Sequence, residues 1–208
     1  AEEIDRFRAN LADLVVQLRT ATDEERRRRC IEHPGTADAV TAVSERSPLL
    51  WTRRPEHASF LELRLGLGDQ PARTTVAKVN TRNSTPELQA ELDGVVSQFA
   101  LVDRVPVVGS FARSGSFGVS GPDDAMLGVA RGLVLQLVGL HAPSEVVLAA
   151  VASGRSAQHW DWLKWLPHVG SEHSPLAADH LAATEPAALN LVAELQQLVS
   201  DRAAARSE

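Results

Sequence analysis

Apolar residues recur at helical spacing at the start of the chain. Between positions 4 and 18 they follow one another at intervals of three and four residues, which is the seam of a helix that packs against a partner helix. Thr22 and Glu25 have the spacing of a capping box, which predicts a second helix from Arg26 to Glu32 that Pro34 ends. We therefore expect the first 34 residues to form a helical hairpin or stalk.

A strand pattern follows from Phe60 to Leu67, where every second residue is leucine and the residues between them are Glu, Arg and Gly. Gly68 to Pro71 predicts a turn, after which Arg73 to Val79 returns as the hairpin partner. Pro86 predicts the start of an amphipathic helix, and Val105 to Val108 a short strand. The remaining predicted elements are a helix over 37–43, a strand over 180–184 and a last amphipathic helix over 185–206.

The centre of the chain has the pattern of a strand, a helix and a second strand. Phe117 to Gly121 predicts a short strand that ends in a glycine turn, and Pro122 opens an apolar helix that runs to about His141. Val146 to Ala152 is a β-branched apolar run typical of a buried strand. Together they predict a βαβ crossover, the unit from which phosphate-binding α/β domains are built.

The turn before the central helix resembles a phosphate-binding loop that has lost its chemistry. Such a loop needs glycines for close backbone approach, a Lys for the terminal phosphates and a Ser or Thr for the metal. Gly118 and Gly121 are present, but Asp123 and Asp124 occupy the helix start. Their carboxylates complement the positive helix end and repel a phosphate. We therefore expect a degenerate nucleotide loop, with no cofactor and no catalytic residue.

An alternative is weak Mg-ATP binding or hydrolysis at an unorthodox site. Asp123, Asp124 and Asp161 could hold Mg²⁺ through their carboxylates, and Arg113 or Arg131 could then contact a phosphate. Arg131 lies two turns into the predicted helix, too far along to replace the missing Lys in the same pose.

Three of the four tryptophans lie within six positions. Trp160, Trp162 and Trp165, with Lys164 and His168, form the most unusual segment of the chain. A tryptophan covers a large area and needs a partner for its N–H. We interpret the segment as a hydrophobic plug that seats a loop on the sheet; the alternative is an exposed surface that binds a partner or a secreted substrate.

Charge and metal-ligand spacing exclude other functions. The formal net charge is −6, which disfavours nucleic-acid binding. The basic run Arg26 to Arg29 lies among acidic residues, so we interpret it as a solvated helix face.

The single cysteine, Cys30, excludes an internal disulfide framework. One acidic and histidine-rich group fits no common zinc spacing, so no metal is expected. Its members are His168, Glu172, His173, Asp179 and His180.

Nothing in the sequence predicts a membrane segment or a signal peptide. The longest apolar run, Leu127 to Leu140, is interrupted by two polar residues and is too short to span a bilayer. Both ends lack the features of natural termini, so we expect the natural protein to continue beyond them.

Several motifs together resemble the EccC family, the membrane-anchored FtsK/SpoIIIE-type ATPases of actinobacterial type VII (ESX) secretion systems. The resemblance covers about residues 26–200, and the tryptophan motif is its most specific part. The motifs are His33-Pro34, Leu50-Trp51-x-Arg53-Arg54-Pro55, Phe60-Leu61-x-Leu63-Arg64-x-Gly66-x-Gly68, Gln136-Leu137 with His141-x-Pro143, and Trp160-Asp161-Trp162-x-Lys164-Trp165-Leu166-Pro167-His168.

The resemblance implies a place and a role. In that family this region, a domain of unknown function, lies on the cytoplasmic side between transmembrane helices and a string of ATPase domains. It implies a helical stalk over 1–34 and, over 35–208, a degenerate P-loop-ATPase-like α/β domain with a mostly parallel sheet flanked by helices. The implied partners are other ESX subunits and downstream ATPase domains, with membrane contact only through upstream helices. The implied function is non-catalytic coupling of those ATPases to the pore.

Overall fold

A computed structural model of the chain describes residues 2–76, 85–170 and 174–205. The chain divides into two compact units. The first unit comprises Ala1–Asp38 and Glu62–Leu133, and the second comprises Ala39–Leu61 and Val134–Glu208.

The described chain is a mixture of helices and short strands, which is compatible with the predicted α/β class. The helices are α1 (Glu2–Glu32), α2 (Thr36–Glu45), α3 (Pro86–Gln98), α4 (Phe111–Ser114), α5 (Asp123–Leu140) and α6 (Glu185–Ala205). The strands are β1 (Glu62–Pro71), β2 (Leu101–Ser110), β3 (Ala150–Val151) and β4 (Leu181–Ala182). Two short 3₁₀ helices, Ala157–His159 and Asp161–Trp165, lie between β3 and β4.

The sheet of the first unit is an antiparallel pair rather than part of a parallel sheet. β1 pairs with β2 from Glu62 opposite Ser110 to Pro71 opposite Leu101. The predicted hairpin partner was therefore wrong: β1 continues through the expected turn at 68–71 and pairs with a strand that follows α3. Of the predicted partner 73–79, residues 73–76 are not in a strand, and 77–79 lie outside the described residues.

Two irregularities change which leucines of β1 are buried. The register shifts between Arg64 and Gly66 and again between Gly68 and Gln70. Each bulge interrupts the two-residue alternation of the strand. Leu63 is buried, whereas Leu65 and Leu67 are exposed, so the single leucine face expected from the sequence does not form.

The stalk is one continuous helix of 31 residues, not two helices. Thr20 donates its hydroxyl to the carbonyl of Val16 at 3.0 Å, as a threonine inside a helix does. Glu25 does not close a capping box; its carboxylate accepts the N–H of Arg73 at 2.9 Å. No proline or glycine interrupts residues 2–32, so the helix continues through the expected break. The division at residue 34 remains a prediction.

The basic run on α1 is only partly a solvated face. Arg28 is exposed and pairs with Glu24 at 2.9 Å. Arg29 is buried, forms an ion pair with the buried Glu25, and donates to the carbonyl of Pro71 at 2.6 Å. Arg27 and Arg28 therefore face solvent while Arg29 faces the end of β1, because successive residues on a helix cover different faces.

The βαβ crossover is not formed in the described residues. Residues 116–120, which include most of the predicted first strand, are not in a strand. Phe117 instead packs edge to face on Phe111, with ring centroids 4.6 Å apart. It lies over Gly109, where an added Cβ would be 2.7 Å from the ring. The second strand shortens to β3, which pairs in parallel with β4 over two residues. The described residues therefore do not form a mostly parallel, P-loop-like sheet.

The second unit packs α6 against its small parallel sheet. Ala182 of β4, Leu191 of α6 and Leu176 form its buried cluster, and Val147 and Leu195 pack against them. The predicted last helix and the predicted strand near 181 are confirmed.

A close contact between α2 and α5 also lies in this unit. At Gly139 an added Cβ would be 3.0 Å from the carbonyl oxygen of Ala39 and 3.1 Å from its Cβ. Ala39 is fully buried. The two backbones therefore meet at a point where a side chain does not fit without displacement.

We expect Gly139→Ala to lower the free energy of unfolding by about 1–3 kcal/mol, since overpacking displaces well-packed neighbours. Gly128→Ala is the matched control on the same helix, because no described residue lies within 4 Å of its added Cβ. It should raise stability by about 0.5–1 kcal/mol through the better helix propensity of alanine. Urea unfolding followed by circular dichroism measures both. Equal changes in the two variants would contradict the close packing.

Candidate functional site

The C-terminal end of α5 is the point where four of the sequence motifs meet. The last carbonyls of a helix have no partner within it, and here Pro143 stops the chain from continuing helically. No glycine follows Leu140 to close the helix end in the usual way. Other parts of the second unit therefore supply the missing donors.

The segment Trp51 to Arg53 supplies three of them. The backbone N–H of Trp51 donates to the carbonyl of Gly139 at 3.1 Å, and that of Arg53 to Leu140 at 2.8 Å. The indole N–H of Trp51 donates to the carbonyl of Val138 at 3.1 Å. Trp51 has a positive φ of 56°, an uncommon conformation that brings both of its donors to the helix end.

His141 supplies a side-chain donor and connects another segment. Its Nε2 accepts the N–H of Leu61 at 3.0 Å. The remaining proton is therefore on Nδ1, which donates to the carbonyl of Leu137 at 2.9 Å. The ring of Phe60 packs edge to face on the imidazole at 5.3 Å, and His141 is fully buried.

His168 connects the tryptophan segment to the C-terminal end of α5. Its Nε2 donates to the carbonyl of His141 at 2.8 Å, and its own carbonyl accepts the N–H of Leu148 at 3.1 Å. Burial lowers the pKa of both imidazoles, and the nearby charge of Arg53 lowers that of His141 further. Both rings are therefore neutral at physiological pH.

The tryptophan segment divides into a packed part and an exposed part. Leu163 is its buried anchor. Trp160 and Trp162 are half-buried and stack with ring centroids 6.5 Å apart, and the indole N–H of Trp162 donates to the carbonyl of His159 at 3.1 Å. These two tryptophans form the packed part of the segment, and their role as a plug on the sheet remains a prediction.

Trp165 has the opposite environment. It is 80% exposed, and the ammonium of Lys164 lies 5.5 Å from the centroid of its ring. Asp161 holds that ammonium at 2.6 Å. A hollow of about 570 Å³ borders Lys164 and is lined also by His180 and Leu181. This part of the segment is accessible to a partner.

The degenerate nucleotide loop lies on the surface of the first unit. Gly118, Gly121, Asp123 and Asp124 are all exposed, and α5 begins at Asp123 with both aspartates in its first turn. Gly121 has a φ of 152°, a conformation that favours glycine. The loop thus combines a glycine turn with a helix start that carries negative charge.

Two residues of the Mg-ATP alternative, Arg113 and Asp161, form ion pairs with other side chains. Arg113 pairs with Glu62 at 2.9 Å. Asp161 belongs to the second unit, where it pairs with Lys164, and Arg131 lies half-buried on α5. Within residues 2–76, 85–170 and 174–205, no group of three or more metal-ligand side chains comes together.

In the histidine-rich group that was considered as a metal site, His168 and His180 form hydrogen bonds within the protein. His180 Nδ1 donates to the carbonyl of Leu148 at 2.7 Å, and its Nε2 lies 2.8 Å from the hydroxyl of Ser174. His168 binds the carbonyl of His141. Glu172 and His173 lie outside the described residues.

Comparison with known proteins identifies a class of secretion-system proteins. No protein-family model matches the chain. It is 31% identical over 171 residues, 81% of its length, to the ESX-4 secretion system protein EccC4 of Mycobacterium tuberculosis, of which it covers 13%. It is 28% identical over 157 residues (74% of the chain, 12% of the relative) to an ESX secretion system protein EccC of Thermomonospora curvata. It is 25% identical over 190 residues to EccC of Geobacillus thermodenitrificans, and that match covers 90% of the chain and 13% of the relative.

These relatives are all ESX secretion system proteins, and all are named EccC. The chain is homologous to a segment of the EccC proteins, which confirms the resemblance seen in its motifs. It spans about an eighth of the length of these curated relatives. In the described part of the chain, no helix has both the length and the apolar character that crossing a bilayer requires.

Sequence reasoning missed the role of Trp51 and Arg53. The motif was visible as part of the resemblance, but its residues have no periodicity that reveals a helix cap. The sequence did contain one signal: no glycine follows α5 to close the helix, so its last carbonyls need hydrogen-bond donors from other segments.

We expect Trp51→Phe to lower the free energy of unfolding by about 1 kcal/mol, because it removes the donor to the carbonyl of Val138 while keeping an aromatic ring. Trp165→Phe is the control and should change stability by less than about 0.5 kcal/mol, as surface substitutions usually do. Urea unfolding followed by circular dichroism compares them. A similar loss in both variants would show that the indole N–H of Trp51 is not a cap.

Proposed function

We propose that this chain is a non-catalytic coupling module of an ESX secretion machine, at the cytoplasmic face of the membrane. It would pass movements of ATPase domains toward the pore and dock neighbouring ESX subunits. The homology to EccC places it in an ESX context, and the proposal for the role itself is supported by the way α1 is attached to the first unit.

The attachment of α1 carries this proposal. At about 1.5 Å per residue, a helix of 31 residues is about 46 Å long. Near its C-terminal end, Arg26 donates to the backbone carbonyl of Asp103 in β2 at 3.0 Å and also pairs with its carboxylate. Glu32 pairs with Arg73 at 2.7 Å, and Arg73 lowers the pKa of Glu32. A long helix with several bonds to a sheet moves with it as one piece.

A further bond ties the other half of the helix. Arg8 pairs with Glu91 of α3 at 3.0 Å. The pair is exposed and contributes little stability by itself, but it shows that the N-terminal half of α1 lies beside α3. Both halves of the helix are therefore held.

The exposed Trp165 supports a second candidate function, the binding of a partner protein. A large aromatic side chain with a cation over its ring is a common anchor of interfaces. In this case the module would recognise an ESX subunit or a secreted substrate through the accessible part of the tryptophan segment.

In the complete protein that carries this segment, we expect Arg26→Ala to reduce ESX-dependent secretion at unchanged protein abundance, because it removes the bonds between α1 and β2. Arg28→Ala is the matched control: this arginine is exposed and pairs only within α1, so secretion should be unaffected. Immunoblots of secreted and cell-associated substrate measure both. Equal secretion in the two variants would contradict coupling through α1, and loss of secretion with Trp165→Ala alone would favour the partner-binding function.

We expect isothermal titration of the chain with Mg-ATP to give no saturable heat up to millimolar concentrations, because the start of α5 carries two carboxylates and no Lys or hydroxyl at the positions that hold phosphate. Saturable heat that Asp123→Ala and Asp124→Ala abolish would overturn this account and support the Mg-ATP alternative. Saturable heat that these variants leave unchanged would place a nucleotide elsewhere on the chain.

A further inference from the structure

The two histidines at the end of α5 form a continuous chain of hydrogen bonds through the second unit. Leu61 donates to His141, His141 donates to Leu137, His168 donates to the carbonyl of His141, and Leu148 donates to the carbonyl of His168. The chain near Leu61, the end of α5, Leu148 and His168 are thus joined through these two histidines. His141 is 0% exposed and His168 is 3% exposed.

Each imidazole fits its site only when it is neutral. His141 Nε2 faces the N–H of Leu61, so a second ring proton would place two donors against each other. His168 carries its proton on Nε2, which faces a carbonyl. Its Nδ1 is buried and has no hydrogen-bond partner among the described residues, so a proton there would find no acceptor among them.

We propose that His141 and His168 form a pH-sensitive clasp that seats the tryptophan segment on the end of α5 at neutral pH and releases it when the rings take up protons. The released parts are the turn that contains Leu61 and the segment that leads to His168. Leu61 has a φ of 56°, which is costly for a leucine, so loss of its bond to His141 also frees a strained turn.

The charged neighbours of the clasp act in the same direction. Arg53, on the segment that pairs with His141, disfavours a positive imidazole, as does His168 itself. Residues 134–140 of α5 carry no charged side chain. On the segment that follows α5, Glu145 pairs with Arg54 at 3.7 Å. His180 contacts the carbonyl of Leu148 on the same segment.

The sign of the pH dependence follows from these contacts. Unfolded or released histidines bind protons with an ordinary pKa of about 6.5, whereas burial keeps the seated rings neutral to lower pH. The clasp is therefore fully formed above about pH 6.5 and weakens as the pH falls below it. For each proton taken up on release, the opening constant rises about tenfold per pH unit.

Amide hydrogen exchange of the 208-residue chain between pH 7 and pH 5 tests this proposal. After correction for the intrinsic rate, the opening constants of the Leu61 and Leu148 amides should rise about 10- to 100-fold per pH unit below pH 6.5, for one or two protons. Acrylamide quenching of tryptophan fluorescence should increase over the same range. Opening constants that do not depend on pH would overturn the proposal.

Two variants separate the clasp from general acid sensitivity. His168→Gln keeps a donor near the position of Nε2 and cannot titrate in this range, so it should remove at least half of the pH dependence. His57→Gln is the control, because His57 is exposed, and should leave the dependence intact. If His168→Gln fails to fold, histidine NMR of the wild-type chain decides: titration of both buried rings near pH 6.5 without amide opening would also overturn the proposal.

Discussion

The end of α5 imposes the constraint on which the second unit depends. A helix that stops at a proline leaves several buried carbonyls in need of donors, and each one left unpaired would cost about 1–3 kcal/mol. The chain meets this need with residues from three places: Trp51 and Arg53 before β1, His141 at the helix end, and His168 after the tryptophan segment. One helix end therefore fixes the course of three otherwise irregular segments.

The first unit is held by charge as well as by apolar burial. Arg29 and Glu25 form a buried pair, and each also bonds a backbone group near the end of β1. Removing charges from water is costly, so such a pair is weak evidence of added stability and better evidence of a defined geometry. Its effect here is to set where a long helix attaches to a two-stranded sheet. That fixed attachment is what a coupling role requires.

Homology to EccC and the local chemistry of the loop point in the same direction. The helix that would receive a phosphate begins with Asp123 and Asp124, while the far end of the same helix carries an elaborate set of backbone contacts. One end of α5 therefore has a structural role in packing, and the other end carries two exposed carboxylates. Function resides in such sites rather than in the fold, which favours a mechanical or docking role for this segment.

The sequence by itself determined several of the elements and the family. Helical spacing located α3, α5 and α6, a proline placed the end of α5, and the motifs around Trp51, His141 and Trp160 to His168 identified the EccC homology. Tertiary structure decided how these parts pair. Strand partners depend on distant residues, so β1 joined β2 instead of the nearest downstream segment. Likewise, the burial of Arg29 and the exposure of Trp165 depend on which distant residues pack against each side chain. A local sequence pattern does not contain that information.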